Sequence, residues 1–152
     1  MSQSLSPTMF SATDSYAERS ADTLTLVARL LIGWLFLDYG WMKLLGHEGT
    51  VRYLANLHVP MPELMYWLVV LAELLIGIAL IFGIATRYIS LFTFLYLIIA
   101  TAIAHRYWEA PAASVGPQYA NFCKNLAIMG GVLLLYVLGA GRFSIDHWLR
   151  RS

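Results

Sequence analysis

Four long apolar runs constrain this chain more than any other feature: Leu24–Leu45, Leu64–Ala85, Tyr88–Ala104 and Asn121–Ala140. The first two have 22 residues each, or about 33 Å of α-helix at 1.5 Å per residue. The hydrocarbon core of a bilayer is about 30 Å thick, so runs of this length read as membrane spans. Composition agrees. Of 152 residues, 59% are hydrophobic and 12% charged, against roughly 25% charged in soluble domains. Disorder needs low hydrophobicity and high net charge. A formal charge of +1 with no basic cluster argues against nucleic acid as a partner. A single cysteine, Cys123, excludes an intramolecular disulfide, a dithiol pair and a cysteine-rich metal site.

The remaining segments organise the spans. Residues 1–23 are polar and rich in Ser and Thr, and read as a flexible cytoplasmic tail without the pattern of a secretory signal. Spans are predicted at about 24–45, 64–85, 88–105 and 121–140, and residues 143–152 as a second cytoplasmic tail. The connector Thr86-Arg87 is so short that the second and third spans form an antiparallel hairpin. In the connector 46–63, Val51, Leu54 and Leu57 recur at helical spacing, which suits a short helix on the membrane surface. The Pro60-Met61-Pro62 segment then turns the chain into the second span. The expected fold is an all-α membrane protein, a four-transmembrane-helix bundle. With the N-terminus inside, Arg19, Arg87, Arg142, Arg150 and Arg151 face the cytoplasm, against Arg52 and Arg106 outside. The excess of basic residues predicts both termini in the cytoplasm.

Ionisable residues inside spans carry the functional information, because each central charge costs roughly 2.5–3.5 kcal/mol on insertion scales and needs a partner or a wet cavity. On a helical wheel, Arg29, Gly33, Phe36, Gly40 and Lys43 form one stripe, with glycines that let another helix approach. Counting heights from the inner edge pairs Arg29 with Glu73, near mid-membrane. Asp38, Lys43, His105 and Lys124 gather in the outer third, with Asn125 beside Lys124 and Thr101 one turn below His105. That arrangement predicts a polar pocket opening outward. Arg29 and Lys43 lie near the membrane edges and can alternatively snorkel to headgroups; His105 can be an interfacial residue without a role.

The succession of these residues resembles the DoxX family of small bacterial membrane proteins. The resemblance rests on Arg29-Leu-Leu-Ile-Gly33, Gly40-Trp-Met-Lys43-Leu, Pro60-Met-Pro62, mid-helix Glu73 and Thr86-Arg87. It continues in His105-Arg-Tyr-Trp108, Asn121-Phe-Cys-Lys124-Asn125-Leu and Gly139-Ala-Gly141-Arg-Phe-Ser144-Ile-Asp146. Two positions depart: Ala140 stands where a proline is common, and Asp38 where an apolar residue is usual. The resemblance implies a four-helix bundle in the bacterial inner membrane. Family members are associated with a thiosulfate:quinone oxidoreductase and with a membrane complex for redox and thiol stress. Carried over by motif, the ligand-binding candidates are Arg29, Lys43, Glu73, His105, Lys124 and Asn125.

Three functions compete at this level. The first is a membrane subunit of an oxidoreductase system, holding a quinone or another small molecule and working with a partner protein or as a homo-oligomer. His47, His58 and His147 fall outside the spans, so no pair of histidines is available inside for haem. The second is a structural anchor or assembly partner. The third is a proton or small-solute permeation protein with Glu73 as relay.

Overall fold

A computed structural model describes residues 9–151, with side chains from residue 13 onward. Six α-helices follow one another: α1 (Met9–Leu45), α2 (His47–Asn56), α3 (Pro62–Phe82), α4 (Thr86–Ala104), α5 (Val115–Leu138) and α6 (Ile145–Leu149), with two single 3-10 turns between α4 and α5. Helices α1, α3, α4 and α5 are long and apolar enough to cross a membrane. Their outward faces carry Leu31, Trp34, Leu75, Ile99, Leu134 and Val137, each more than half exposed. Apolar surface on that scale is covered by lipid in a folded bundle. Four spans also put the two ends of the chain on the same side.

Several boundaries differ from the hydropathy reading. Helix α1 starts at Met9, so residues 9–23 continue the helix instead of forming a loose tail; residues 1–8 lie outside the described residues. Helix α3 stops at Phe82, three residues early, because Gly83 takes a left-handed conformation (φ 66°) and its N–H and that of Ile84 turn back to Leu80 and Ala79. Glycine adopts that conformation without a Cβ penalty and is the usual helix terminator. The connector is therefore Gly83–Ala85, and Thr86-Arg87 opens α4. Helix α5 begins at Val115 rather than Asn121, since Pro117 falls in its first turn, where a missing N–H costs nothing.

Helices α1 and α3 make the closest crossing. A Cβ on Gly77 would stand 2.8 Å from the Leu37 nitrogen and 2.9 Å from the Gly33 oxygen. Without side chains at Gly33 and Gly77, backbone packs on backbone, the usual way to gain dispersion contact where lipid removes the hydrophobic drive. Helix α4 pairs with α5 and buries Thr86, Ser90, Thr93, Leu97 and Thr101, a stripe of mostly small hydroxyl residues at three- and four-residue spacing. Phe36, Ile76, Leu80, Leu97, Met129 and Leu135 form the apolar centre between the pairs.

The C-terminal segment is part of the bundle. The Asp146 carboxylate accepts hydrogen bonds from Ala85 N–H (2.6 Å) and Thr86 N–H (2.8 Å), capping α4 from a distant part of the chain. A carboxylate there satisfies donors that a helix start leaves unpaired and meets the positive end of its dipole. Residues 143–151 are thus a clamp rather than a free tail.

Candidate functional site

Two polar centres occupy opposite ends of the bundle, and five of the six candidates read from sequence gather at one of them. Arg29 belongs to the other. It is 1% exposed. Its guanidinium donates to the carbonyls of Leu80 (3.0 Å), Ile81 (3.2 Å), Phe143 (2.9 Å) and Ala140. Leu80 and Ile81 lie in the last turn of α3, whose carbonyls lack the regular donor four residues on, and five fixed guanidinium donors suit several such acceptors at once. The predicted Arg29–Glu73 pair is therefore not formed. Side chains tilt toward the N-terminus of their own helix. On antiparallel α1 and α3 that tilt carries Arg29 and Glu73 apart, and brings Lys43 and Glu73 together.

Glu73, 7% exposed, sits at the base of the second centre. Lys43 Nζ donates to both of its oxygens, at 2.9 and 2.6 Å, and the Tyr96 hydroxyl donates to Oε1 at 2.8 Å. Tyr39 lies between two ammonium groups: Lys43 Nζ is 5.3 Å and Lys124 Nζ 4.4 Å from its ring centroid. Lys124 also donates to the Tyr39 hydroxyl (3.2 Å) and to Asn121 Oδ1 (3.0 Å). Asn125 donates to Thr101 Oγ1 at 2.9 Å, and His105 Nδ1 meets Gln118 Oε1 at 2.9 Å. An amide oxygen only accepts, so Nδ1 carries the hydrogen and Nε2 of the neutral ring is left as an acceptor.

These groups border a cavity of about 560 Å³ between α1, α3, α4 and α5, walled mainly by apolar side chains such as Leu35, Phe36, Met65, Val69 and Ile128. Helix α2 closes one side with Thr50, Tyr53 and Leu54. It is held there by Tyr53, whose hydroxyl donates to Ala104 O at 2.9 Å, and by His47, which pairs with Glu63 at 2.7 Å. The wall carries two lysines against one carboxylate, and that carboxylate is committed to Lys43 and Tyr96. An apolar cavity with an uncompensated ammonium and a few convergent polar groups has the anatomy of a small-molecule site.

The sequence places the same landmarks in a known order. Residues 24–106 match the DoxX family model. The chain belongs to the DoxX family. Two relatives from Escherichia coli (strain K12) match this chain over most of their own length. Inner membrane protein YphA is 37% identical over 82% of this chain and 89% of its own. Inner membrane protein YqjF is 38% identical over 86% of this chain and 95% of its own. CatD of Bacillus subtilis (strain 168), named as a candidate oxidoreductase, is 31% identical over 53% of this chain and 58% of its own. No solved structure matches the chain. This DoxX chain is accordingly a multi-pass inner-membrane protein.

Of the six candidates read from sequence, Lys43, Glu73, His105, Lys124 and Asn125 all border the cavity, whereas Arg29 lies at the other end. Asp38 is exposed on α1 and forms no ion pair with Lys124, which donates to Tyr39 and Asn121 instead. Sequence reasoning missed Tyr39 and Tyr96. Their signal is a phenol within an apolar span, where a tyrosine hydroxyl away from water normally finds a partner. With nine tyrosines in the chain, that signal does not single them out. The predicted surface helix is present as α2, and it shapes the cavity.

Proposed function

We propose that this protein is the membrane-embedded, ligand-holding subunit of an oxidoreductase system, and that the cavity takes an amphiphilic small molecule of the quinone class. The observation that carries this reading is the cavity itself: an apolar enclosure of about 560 Å³ with Lys124, His105 and Tyr39 at its polar edge. A ring with two carbonyl oxygens and an apolar chain needs hydrogen-bond donors at one place and apolar walls elsewhere. Lys124 has three N–H donors and uses two of them, on Tyr39 and Asn121. His105 Nε2 can accept the hydrogen bond of a hydroxyl on the reduced ring, and take its proton when that ring is oxidised again, because Gln118 holds the opposite nitrogen as the donor. Glu73, Lys43 and Tyr96 form a connected chain of exchangeable protons beside it. The oxidoreductase name of CatD favours redox over a purely structural role. In this reading electrons come from a partner protein or a second diffusible carrier.

Binding of a short-chain ubiquinone or menaquinone analogue to the purified protein, followed by tryptophan fluorescence, tests the reading. Lys124→Ala is expected to weaken binding of the oxidised analogue about tenfold, the worth of one charge-assisted hydrogen bond of roughly 1.5 kcal/mol, and His105→Ala to weaken binding of its reduced form about fivefold, the worth of a neutral one of roughly 1 kcal/mol. Absence of binding, or unchanged affinity in both variants, overturns it.

A further inference from the structure

The opposite end of the bundle holds a second recess of similar size, and nothing in the redox reading uses it. It has a volume of about 560 Å³ and lies between Asp22 of α1, Arg87 of α4, the loop after α5 and the last residues of the chain. Arg87, Arg142, Arg150 and Arg151 all line it, against two carboxylates. Both carboxylates are occupied. Asp146 is spent on the N–H groups of Ala85 and Thr86, while Asp22 accepts from Arg142 N–H and stands 3.9 Å from Arg142 Nε. Among the described residues, Arg87, Arg150 and Arg151 enter no ion pair. The recess therefore holds an uncompensated cluster of guanidinium groups.

Part of its wall is apolar. Leu138 and Phe143 line it, and Trp148 and Leu149, next to lining residues in the chain, are more than half exposed. It also sits where the apolar faces of α4 and α5 end, which is the headgroup level of a bilayer. A free inorganic anion would gain nothing from that rim. A phosphodiester attached to acyl chains would gain from both parts.

We propose that this recess binds the headgroup phosphate of an anionic phospholipid. Arg87, Arg150 and Arg151 hold the phosphate, and Leu138 and Phe143 meet the first methylenes of a chain. Guanidinium groups match phosphate oxygens in a two-pronged geometry that lysine lacks. Bound there, the lipid bridges the start of α4 to the end of the chain, and so reinforces the clamp that Asp146 makes between the same two segments.

Native mass spectrometry of the full chain, stripped of lipid in detergent and titrated with phosphatidylglycerol or phosphatidylcholine, tests this. Phosphatidylglycerol should bind at least tenfold more tightly. The triple variant R87Q/R150Q/R151Q should lose that preference, since each basic group near a lipid surface contributes about fivefold. The corresponding lysine variant should keep part of it. Millimolar inorganic phosphate should not displace the lipid. Equal binding of the two lipids, or an unchanged preference in the glutamine variant, overturns the proposal; displacement by phosphate overturns the lipid as its source. Melting of each variant in lipid-free detergent separates lost binding from lost fold. Should the triple variant not fold, Arg150→Gln and Arg151→Gln, both exposed in the last turn, are read singly and must each weaken phosphatidylglycerol by about threefold to fivefold. Quinone-analogue binding at the other end should be unchanged in every variant.

Discussion

Removal of Lys43 should expose how the buried carboxylate is held. Lys43 is the charged partner of Glu73, at 2.6 Å, with side-chain exposures of 27% and 9%. Breaking a buried ion pair from one side costs about 3–5 kcal/mol, because the other charge stays buried without compensation. Lys43 opens partly onto the cavity, and water there relieves some of that loss. Tyr96 also remains as a donor to Glu73. We expect Lys43→Met to destabilise the protein by about 2–4 kcal/mol. For a chain of this size, that lowers the melting temperature by about 5–15 °C. Glu73→Leu alone should cost a similar amount by stranding the ammonium. The double variant, apolar at both positions, should lie close to the parent, since well-packed apolar replacements of a buried pair are often neutral. Thermal unfolding in detergent, with all four proteins in one cycle, gives the coupling. The same cycle on Arg29→Met and Glu73→Leu should be additive within about 0.5 kcal/mol, as the two do not share a partner. Additive losses for Lys43 and Glu73, or strong coupling of Arg29 with Glu73, would refute the arrangement.

Three further outcomes follow from the packing and from the charge count. Gly77→Val should lower the melting temperature by the equivalent of about 1–3 kcal/mol or more, the usual cost of overpacking, because its Cβ would meet Leu37 and Gly33 backbone at 2.8 and 2.9 Å; an unchanged melting temperature would mean a looser α1–α3 crossing. Asp146→Ala should cost about 0.5–2 kcal/mol, the worth of a lost helix cap, and hydrogen exchange should rise at Ala85 and Thr86 before it rises elsewhere. With Cys123 replaced by alanine, a cysteine at Ser114 should react with an impermeant maleimide from outside the cell and one at Arg150 should not; the reverse pattern would invert the predicted orientation.

How much of this was legible in the sequence depends on which physical signal was available. The four spans were legible because the bilayer fixes a minimum apolar length. Their ends were not, because helix ends are set by local backbone chemistry that hydropathy averages away: Gly83 stops α3 and Pro117 lies in the first turn of α5. The gathering of Lys43, His105, Lys124 and Asn125 near one end followed from counting residues along the spans. The partner of Glu73 did not, because height alone ignores the direction in which side chains tilt. The fate of Arg29 was hidden for a different reason. Its acceptors are main-chain carbonyls, which every residue possesses, so no residue type in the sequence marks them.

The two ends of the bundle meet the same cost of buried charge by different means, and the difference bears on function. Arg29 is neutralised by backbone dipoles that cannot leave, since Leu80 and Ile81 close α3 and Ala140 and Phe143 belong to the clamped C-terminal segment. Such a centre is rigid and has nothing to exchange with a ligand. Lys43, Glu73, Tyr96, Tyr39 and Lys124 are held instead by other side chains, each with rotamers to spare and all bordering one cavity. Side-chain partners can be released to an incoming molecule and regained when it leaves, and protons can move along them without disturbing a helix. A chain needing charge only to hold its helices together would be served by centres of the first kind. Keeping the second kind around an apolar cavity is what the proposed function requires, in which a polar head enters, exchanges protons and departs.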